Sequence, residues 1–380
     1  MRGPAAALGL AALSACLEAP PRGIDTGGGR DSGVEPGGGD GAAGEIYHRE
    51  LKIASNSVAE DLVDFPVLVR ITGDDALIRH AAAGGDDISF VDEEDVLLPF
   101  EVEGWRDGEL RAWVRLPSLR ADASTAFVLR YGPGAPRVVQ QQGSAWNDDF
   151  AAVWHLEEEP GAVADSSAGS HDAVEVAGAT SSGDGQLGSG IAFDGGGDYI
   201  DFGAAFPAAI DVGAALTVTA WVRYDSKQDW AHFISKATTN TQGWGMGIDS
   251  TLDFMVRAMN GSSASQGYNA AAEPDTGVWY HWAMVYDGGA PTDAERLLAY
   301  RDGAGLSLTF LSSIPANFDS KGGDLYLGCA TWRTSDYCID GAVDEVHVST
   351  VPRSPAWIAA EFANQRPDST FIVVGPEKKL

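Results

Sequence analysis

From Ile46 onward, apolar residues recur at every second position in short runs separated by Gly, Pro, Asp and Ser, the period that a strand with one buried face requires. The chain is therefore expected to be all-β. Over 65–71 one face carries Phe65, Val67, Val69 and Ile71, and over 110–116 one face carries Leu110, Ala112, Val114 and Leu116. Further strands are expected over 88–90, 97–102 and 125–131, and only 75–83 suggests a short helix. Residues 46–143 thus read as a small β-sandwich. A second set of runs covers 191–202, 216–224, 232–236, 244–249, 252–259, 278–286, 297–301, 325–328 and 343–348. Their spacing, with polar turns between them, describes antiparallel strands rather than strand–helix–strand units. With one short helix over 355–364 and a closing strand over 371–374, residues 144–380 are expected to form a jelly-roll β-sandwich.

Composition agrees with this reading and removes one class of function. The 380 residues include 47 Gly and 18 Pro, which favours turns over long helices, and 44% are hydrophobic, enough for folded cores. Lys plus Arg number 25 against 55 Asp plus Glu, a formal net charge of −30. A nucleic-acid backbone seeks positive potential, so no nucleic-acid partner is expected.

The N-terminus reads as an address. Met1-Arg2 precedes the apolar stretch 5–13, half of what a bilayer-spanning helix needs, so residues 1–15 read as a signal peptide and not as an anchor helix. Leu13-Ser14-Ala15-Cys16 looks like a bacterial lipobox, whose cysteine carries the lipid. Acyl chains on Cys16 would tether the protein to a membrane, placing it in the cell envelope, at the outer membrane or cell surface. Residues 17–45 hold ten glycines, three prolines and almost no large apolar side chain, and so read with Cys16 as a disordered linker over 16–45. Apart from Cys16 the only cysteines are Cys329 and Cys338, in a polar loop between two strand-like segments. A disulfide across the hairpin mouth suits an oxidising compartment; two free thiols or half of a metal site are the alternatives.

Two resemblances cover most of the chain beyond the linker. Asp64-Phe65-Pro66-Val67-Leu68-Val69, Asp86-Asp87-Ile88-Ser89-Phe90, Leu98-Pro99-Phe100-Glu101-Val102-Glu103-Gly104-Trp105, Ala112-Trp113-Val114-Arg115-Leu116-Pro117 and Leu129-Arg130-Tyr131-Gly132 resemble the family called domain of unknown function 2341, found in bacterial envelope proteins. Ala152-Val153-Trp154-His155-Leu156 with Asp165-Ser166-Ser167, Gly190 to Gly195, Leu216 to Val222, Trp279 to Gly288, Tyr300 to Gly303 and Ile339 to Val346 resemble a laminin G-like domain of the concanavalin A-like lectin/glucanase superfamily. The second resemblance implies a concanavalin A-like jelly roll. Relatives often hold a structural calcium ion near the start and end of that fold, which maps onto Asp165 and Asp344, and millimolar extracellular calcium would suffice for a site of few carboxylates.

The chemistry of the residues points away from catalysis. The glucanase relatives present a Glu-x-Asp-x-x-Glu strand, which places two carboxyl groups on one face for glycoside hydrolysis, and this chain has none. Glu157-Glu158-Glu159 runs into Pro160 and reads as a solvated turn, Asp344 and Glu345 would point to opposite faces of a strand, and Gly195-Gly196-Gly197 reads as a turn. His155, His281 and His347 sit among apolar residues and read as hydrogen-bonded structural histidines. There is no GxSxG elbow, HExxH pair or Walker loop. Binding is the stronger expectation, because sugar rings stack on flat side chains while acids and amides meet hydroxyls. The candidates are Trp230, Trp244, Tyr268 and the loop residues Trp332, Arg333, Asp336 and Tyr337, the loop being preferred because closure preorganises it. Trp113 offers a second platform or tucks under a loop, and Trp221 and Trp282 belong to core or sheet surface. The expected function is a non-catalytic, lipid-anchored module for carbohydrate or an extracellular protein. A polysaccharide-degrading glycoside hydrolase or lyase, and a structural spacer without a ligand, are the alternatives.

Overall fold

Four antiparallel sheets pair into two sandwiches because each strand run buries one face and needs a second sheet to cover it. The computed structural model describes residues 44–380 except 107, 108, 141, 142, 159 and 333. The signal peptide, Cys16 and residues 16–43 of the linker lie outside the described residues, as does Arg333. Among the described residues no helix is long and apolar enough to cross a membrane.

The first sandwich pairs a three-stranded sheet, ordered Leu62–Ile71, Glu109–Leu119, Phe100–Arg106, with a five-stranded one. The latter runs Val373–Val374, Tyr47–Ile53, Thr125–Tyr131, Ser89–Val91, and Lys378–Lys379 also pairs with Tyr47–Ile53. The expected face of Phe65, Val67, Val69 and Ile71 is buried, as is that of Leu110, Ala112, Val114 and Leu116. The short helix forms over Asp75–His80, where the Asp74 carboxylate accepts from the Ala76 and Leu77 amides. Leu62–Ile71 is an edge strand, which is where a proline such as Pro66 can sit without removing a ladder bond.

The second sandwich has two eight-stranded sheets. The inner sheet, facing the first sandwich, runs Ala304–Leu306, Leu297–Arg301, Trp279–Asp287, Ala215–Ser226, Asp340–Ser349, Ile191–Asp194, Thr180–Ser181, with Phe150–Trp154 also paired to Asp340–Ser349. The outer sheet runs Thr309–Phe310, Gln266–Asn269, Phe254–Asn260, Gln242–Ile248, His232–Thr239, Leu325–Leu327, Tyr199–Asp201, Glu175–Ala177. Along Ala215–Ser226 the even positions Leu216, Val218, Ala220, Val222 and Tyr224 enter the core between the sheets, where Phe254 stacks on Trp282 at 3.9 Å between ring centroids. Trp221 and Trp282 are both buried.

Two expectations change. The single strand expected over 191–202 is two, Ile191–Asp194 in the inner sheet and Tyr199–Asp201 in the outer, because Gly195 (φ 72°) and Gly197 (φ 115°) turn the chain from one sheet to the other. The strand expected to close the jelly roll instead crosses back. Val373–Val374 and Lys378–Lys379 extend the five-stranded sheet of the first sandwich by pairing with Tyr47–Ile53.

The helix Pro355–Gln365, capped by the Ser354 hydroxyl, fills the angle between the sandwiches. Its residues Ala356, Trp357, Ile358 and Ala360 join an apolar cluster that runs from the first sandwich through Trp146, Phe150 and Val153 to Ala283 and Val285 of the inner sheet. The Asn364 side chain covers the open edge of Leu62–Ile71, accepting from the Leu68 amide at 2.7 Å and donating to the Leu68 carbonyl at 3.0 Å. Asn364→Ala strands both backbone groups, and an unfolding-energy loss of about 1–3 kcal/mol is expected in urea denaturation. A loss below a few tenths of a kcal/mol would mean that water replaces the amide at no cost.

Candidate functional site

The loop between Cys329 and Cys338 lies on the outer face of the outer sheet. A disulfide joins the two cysteines, and both are buried. The chain inside the ring is pinned at several points: the Ala330 and His232 amides both donate to the Tyr337 carbonyl, and Thr331 hydrogen-bonds Ser235 and the Ala237 carbonyl. The loop can lie this low because the strand beneath it alternates Gly243, Gly245 and Gly247 outward with Trp244, Met246 and Ile248 inward. A Cβ at Gly245 would stand 3.3 Å from His232 Cδ2 and 3.3 Å from Ser235 Cβ, tighter than such atoms normally come.

Trp332 is half-buried there, with the Arg257 guanidinium 5.1 Å from its ring centroid and the His232 ring edge-on at 5.2 Å. Arg257 donates through Nη2 to the Asn240 and Ser263 carbonyls while its Nε has no partner among the described residues. Burial pushes Arg257 down to about 10, leaving it charged at neutral pH. His232 Nδ1 lies 2.7 Å from the Trp230 carbonyl, which makes it the donor and leaves Nε2 as an unpartnered acceptor. Burial first, and the Arg257 charge next, depress His232 to about 3, so the ring is neutral. Gln266 faces Arg257 across the ladder and its Nε2 is likewise unpartnered, while Tyr268 faces Met255 one pleat further along and is half-exposed.

The expected binding residues therefore separate. Trp332, Tyr337 and Tyr268 belong to this face, Trp230 lies in the turn that leads into His232, and Asp336 is exposed on the loop. Trp244 does not: its side chain points into the core, fully buried, with its ring N–H donated to the Ile210 carbonyl at 3.0 Å. The polar pair Gln242-Gly243 before it suggests a loop, whereas the alternating glycines put the indole on the inward phase. That alternation, over 243–247, is the legible signal of a bare outer face. His232 and Arg257 escape a search of the turns because neither lies in one.

A second polar constellation occupies the junction of the two sandwiches. The ladder between Ala215–Ser226 and Asp340–Ser349 slips between Thr219 and Trp221, where two residues oppose one, and Glu345 takes a left-handed φ of 47°. With Val343 and Val346 both in the core, the bulge turns Asp344 and Glu345 to the same side, not to opposite faces. Glu345 Oε2 lies 2.9 Å from His155 Nδ1 and 3.3 Å from His347 Nε2. Glu103 Oε2 stands 3.8 Å from His155 Nδ1, accepts from Trp113 Nε1 at 2.7 Å, and its other oxygen accepts from Arg111 Nε at 2.9 Å. His347 Nδ1 is 3.0 Å from Glu361 Oε1 on the helix. Burial opposes a charge on His155, but Glu345 and Glu103 outweigh it and hold its pKa well above the ordinary histidine value. Burial, with Glu345 next, lifts Glu103 to about 7.

Trp113 is buried beside His155 and His347, so it tucks under rather than offering a platform. Glu157, read as a solvated turn, instead bonds Arg111 at 2.9 Å and the Ser189 amide at 3.0 Å. The residues expected to hold calcium do not fit an ion. Asp165 gives both oxygens to the chain itself, accepting from the Val153, Ser167 and His171 amides and the Ser167 hydroxyl. Asp344 accepts from the Leu187 and Glu345 amides, and burial followed by the Glu345 charge keeps it well above the usual carboxylate range. Among the described residues the one group whose donor atoms approach closely enough to share an ion is Glu103, His155 and Glu345.

Residues 194–359, which span most of both eight-stranded sheets, match the model of the concanavalin A-like lectin/glucanases superfamily. Over those residues the jelly roll of the second sandwich is concanavalin A-like. No curated protein matches the chain. Among solved structures, domain 4 of AbnA, a GH43 extracellular arabinanase from Geobacillus stearothermophilus solved with arabinotriose, is similar at 17% identity and a TM-score of 0.43, covering 56% of this chain and 97% of that one. The botulinum neurotoxin serotype G binding domain is similar at 10% identity and a TM-score of 0.42, covering 56% of this chain and 50% of that one. A heptameric SAP-like pentraxin from Limulus polyphemus is similar at 17% identity and a TM-score of 0.33, covering 44% of this chain and 84% of that one. The chain spans about half the length of the toxin domain.

Proposed function

We propose that this is an envelope lipoprotein, held by a lipid on Cys16, whose laminin G-like sandwich binds carbohydrate without transforming it. The observation that carries the reading is the outer-face cluster of Trp332, Arg257, His232 and Gln266. A half-exposed indole rests on a cation, and the buried Arg257, His232 and Gln266 side chains hold it from the sheet side. A pyranose or furanose ring offers the complement, a C–H face for the indole and hydroxyls toward the exposed rim of the loop. Binding at the rigid disulfide loop forfeits little ordering entropy. The acidic side chains best placed for glycoside chemistry, Glu103 and Glu345, are closed off at the junction, with side chains only 2% and 0% exposed. A retaining or inverting mechanism needs its carboxyl pair to flank a bound sugar, and a buried pair cannot do so.

A panel of plant, bacterial-envelope and host glycans, probed with the purified chain, tests the proposal. Trp332→Ala is expected to weaken the binding found by about 1–3 kcal/mol, roughly 5–150-fold. Unchanged affinity removes the loop from the site. Release of reducing ends or unsaturated products overturns the non-catalytic reading, and capture only on an envelope-protein array transfers the surface to a protein partner.

A further inference from the structure

The junction holds a set of donors that the carbohydrate reading does not use. Three separate elements converge on it: Glu103 from the strand Phe100–Arg106, His155 just beyond Phe150–Trp154, and Glu345 from the bulge in Asp340–Ser349. Their donor atoms all lie within 4.8 Å of one another. Glu345 is 1% exposed, and its Oε1 has no hydrogen-bond partner among the described residues. Around the three stand further acids, Glu101 (3.7 Å from His155 Nε2), Glu157 and Asp344, against the cations Arg111 and, when charged, His155 and His347. A buried excess of carboxylate over cation is costly, and a bound cation is one of the few things that removes the cost.

We propose that Glu103, His155 and Glu345 form a binding site for one divalent transition-metal ion of the zinc class, which ties the first sandwich to the second. One imidazole nitrogen with two carboxylate oxygens and no thiolate suits zinc, cobalt or manganese, whereas calcium prefers six to eight oxygens. The ion takes the place of the proton between His155 Nδ1 and Glu345 Oε2, which leaves to solvent. The surroundings already supply the outer contacts such sites use. Trp113 Nε1 and Arg111 Nε orient Glu103, and Glu101 faces the far nitrogen of His155. The site differs from the calcium position expected at Asp165 and Asp344, and it draws Glu103 from outside the laminin G-like domain.

The test uses the whole chain stripped with chelator and titrated with Zn²⁺, then with Co²⁺ as a spectroscopic probe. Uptake of one Zn²⁺ per chain by calorimetry, with Co²⁺ giving the intense visible bands of a four- or five-coordinate ion and shifted resonances from one imidazole, is the expected result. Glu345→Gln and His155→Gln should abolish stoichiometric uptake, and Trp113→Phe, which removes the N–H donated to Glu103 but keeps all three ligand residues, should weaken it about 10–100-fold. Absence of uptake by the stripped wild-type chain overturns the proposal. So does uptake undiminished in either ligand variant with a native near-ultraviolet spectrum. Should those variants fail to fold, the Co²⁺ spectrum and the Trp113→Phe affinity decide: octahedral aqua-like bands without an imidazole signal, or an unchanged affinity, refute the site.

Discussion

Glu361→Ala is expected to lower the unfolding free energy by about 3–5 kcal/mol, the cost of removing one partner of a buried charged group. Glu361 lies on the helix Pro355–Gln365 and accepts from the Thr219 hydroxyl at 2.7 Å and from His347 at 3.0 Å, with His281 Nε2 at 3.8 Å. Burial alone would raise its pKa, yet the His347 hydrogen bond and the neighbouring His281 and His347 imidazoles outweigh burial and hold it far below the usual carboxylate range. Alanine leaves His347 and the Thr219 hydroxyl without their shared acceptor in a closed space. Glu361→Gln keeps an oxygen for Thr219 and should lose less. Urea denaturation with an unchanged slope checks both, and a loss for alanine under about 1 kcal/mol would show that the helix is held by its apolar face alone.

The second large effect is on acid stability. The folded chain keeps His232 neutral down to about pH 3, whereas the unfolded chain protonates it near 6.5. A depressed folded value means that the stability is fully present above the unfolded pKa and is lost as pH falls toward the folded one. Between those limits the unfolded state carries one more proton, so this residue alone removes about 1.4 kcal/mol per pH unit. His232→Gln should flatten the stability curve by that slope between about pH 6 and pH 4. Wild-type and variant curves that run parallel over that interval would mean that protonated His232 is tolerated in the fold.

The features legible in the amino-acid order are those that depend on near neighbours. Period-two runs mark the strands Leu62–Ile71, Glu109–Leu119 and Thr125–Tyr131, and Ser354-Pro355 marks the start of the last helix. The disulfide also agrees with local layout. Three things are hidden, each for a physical reason. A glutamate at positive φ has no local signature, so nothing near it announces the bulge that brings Asp344 and Glu345 to one side. Partners distant in the chain, such as Arg111 with Glu157, make a buried network look like a solvated turn. Trp244 shows the converse error. Its polar neighbours suggest a loop, but the phase of Gly243, Gly245 and Gly247 decides which way an indole points.

The return of Val373–Val374 and Lys378–Lys379 to Tyr47–Ile53 bears on the order of events during folding. Until residues 373–379 dock, Tyr47–Ile53 remains the bare rim of its sheet, bonded on one side only to Thr125–Tyr131. A nascent rim of this kind invites pairing with foreign strands. Chains that lose residues 373–379 would carry that hazard permanently, so the segment guards the sheet of the first sandwich against foreign strands.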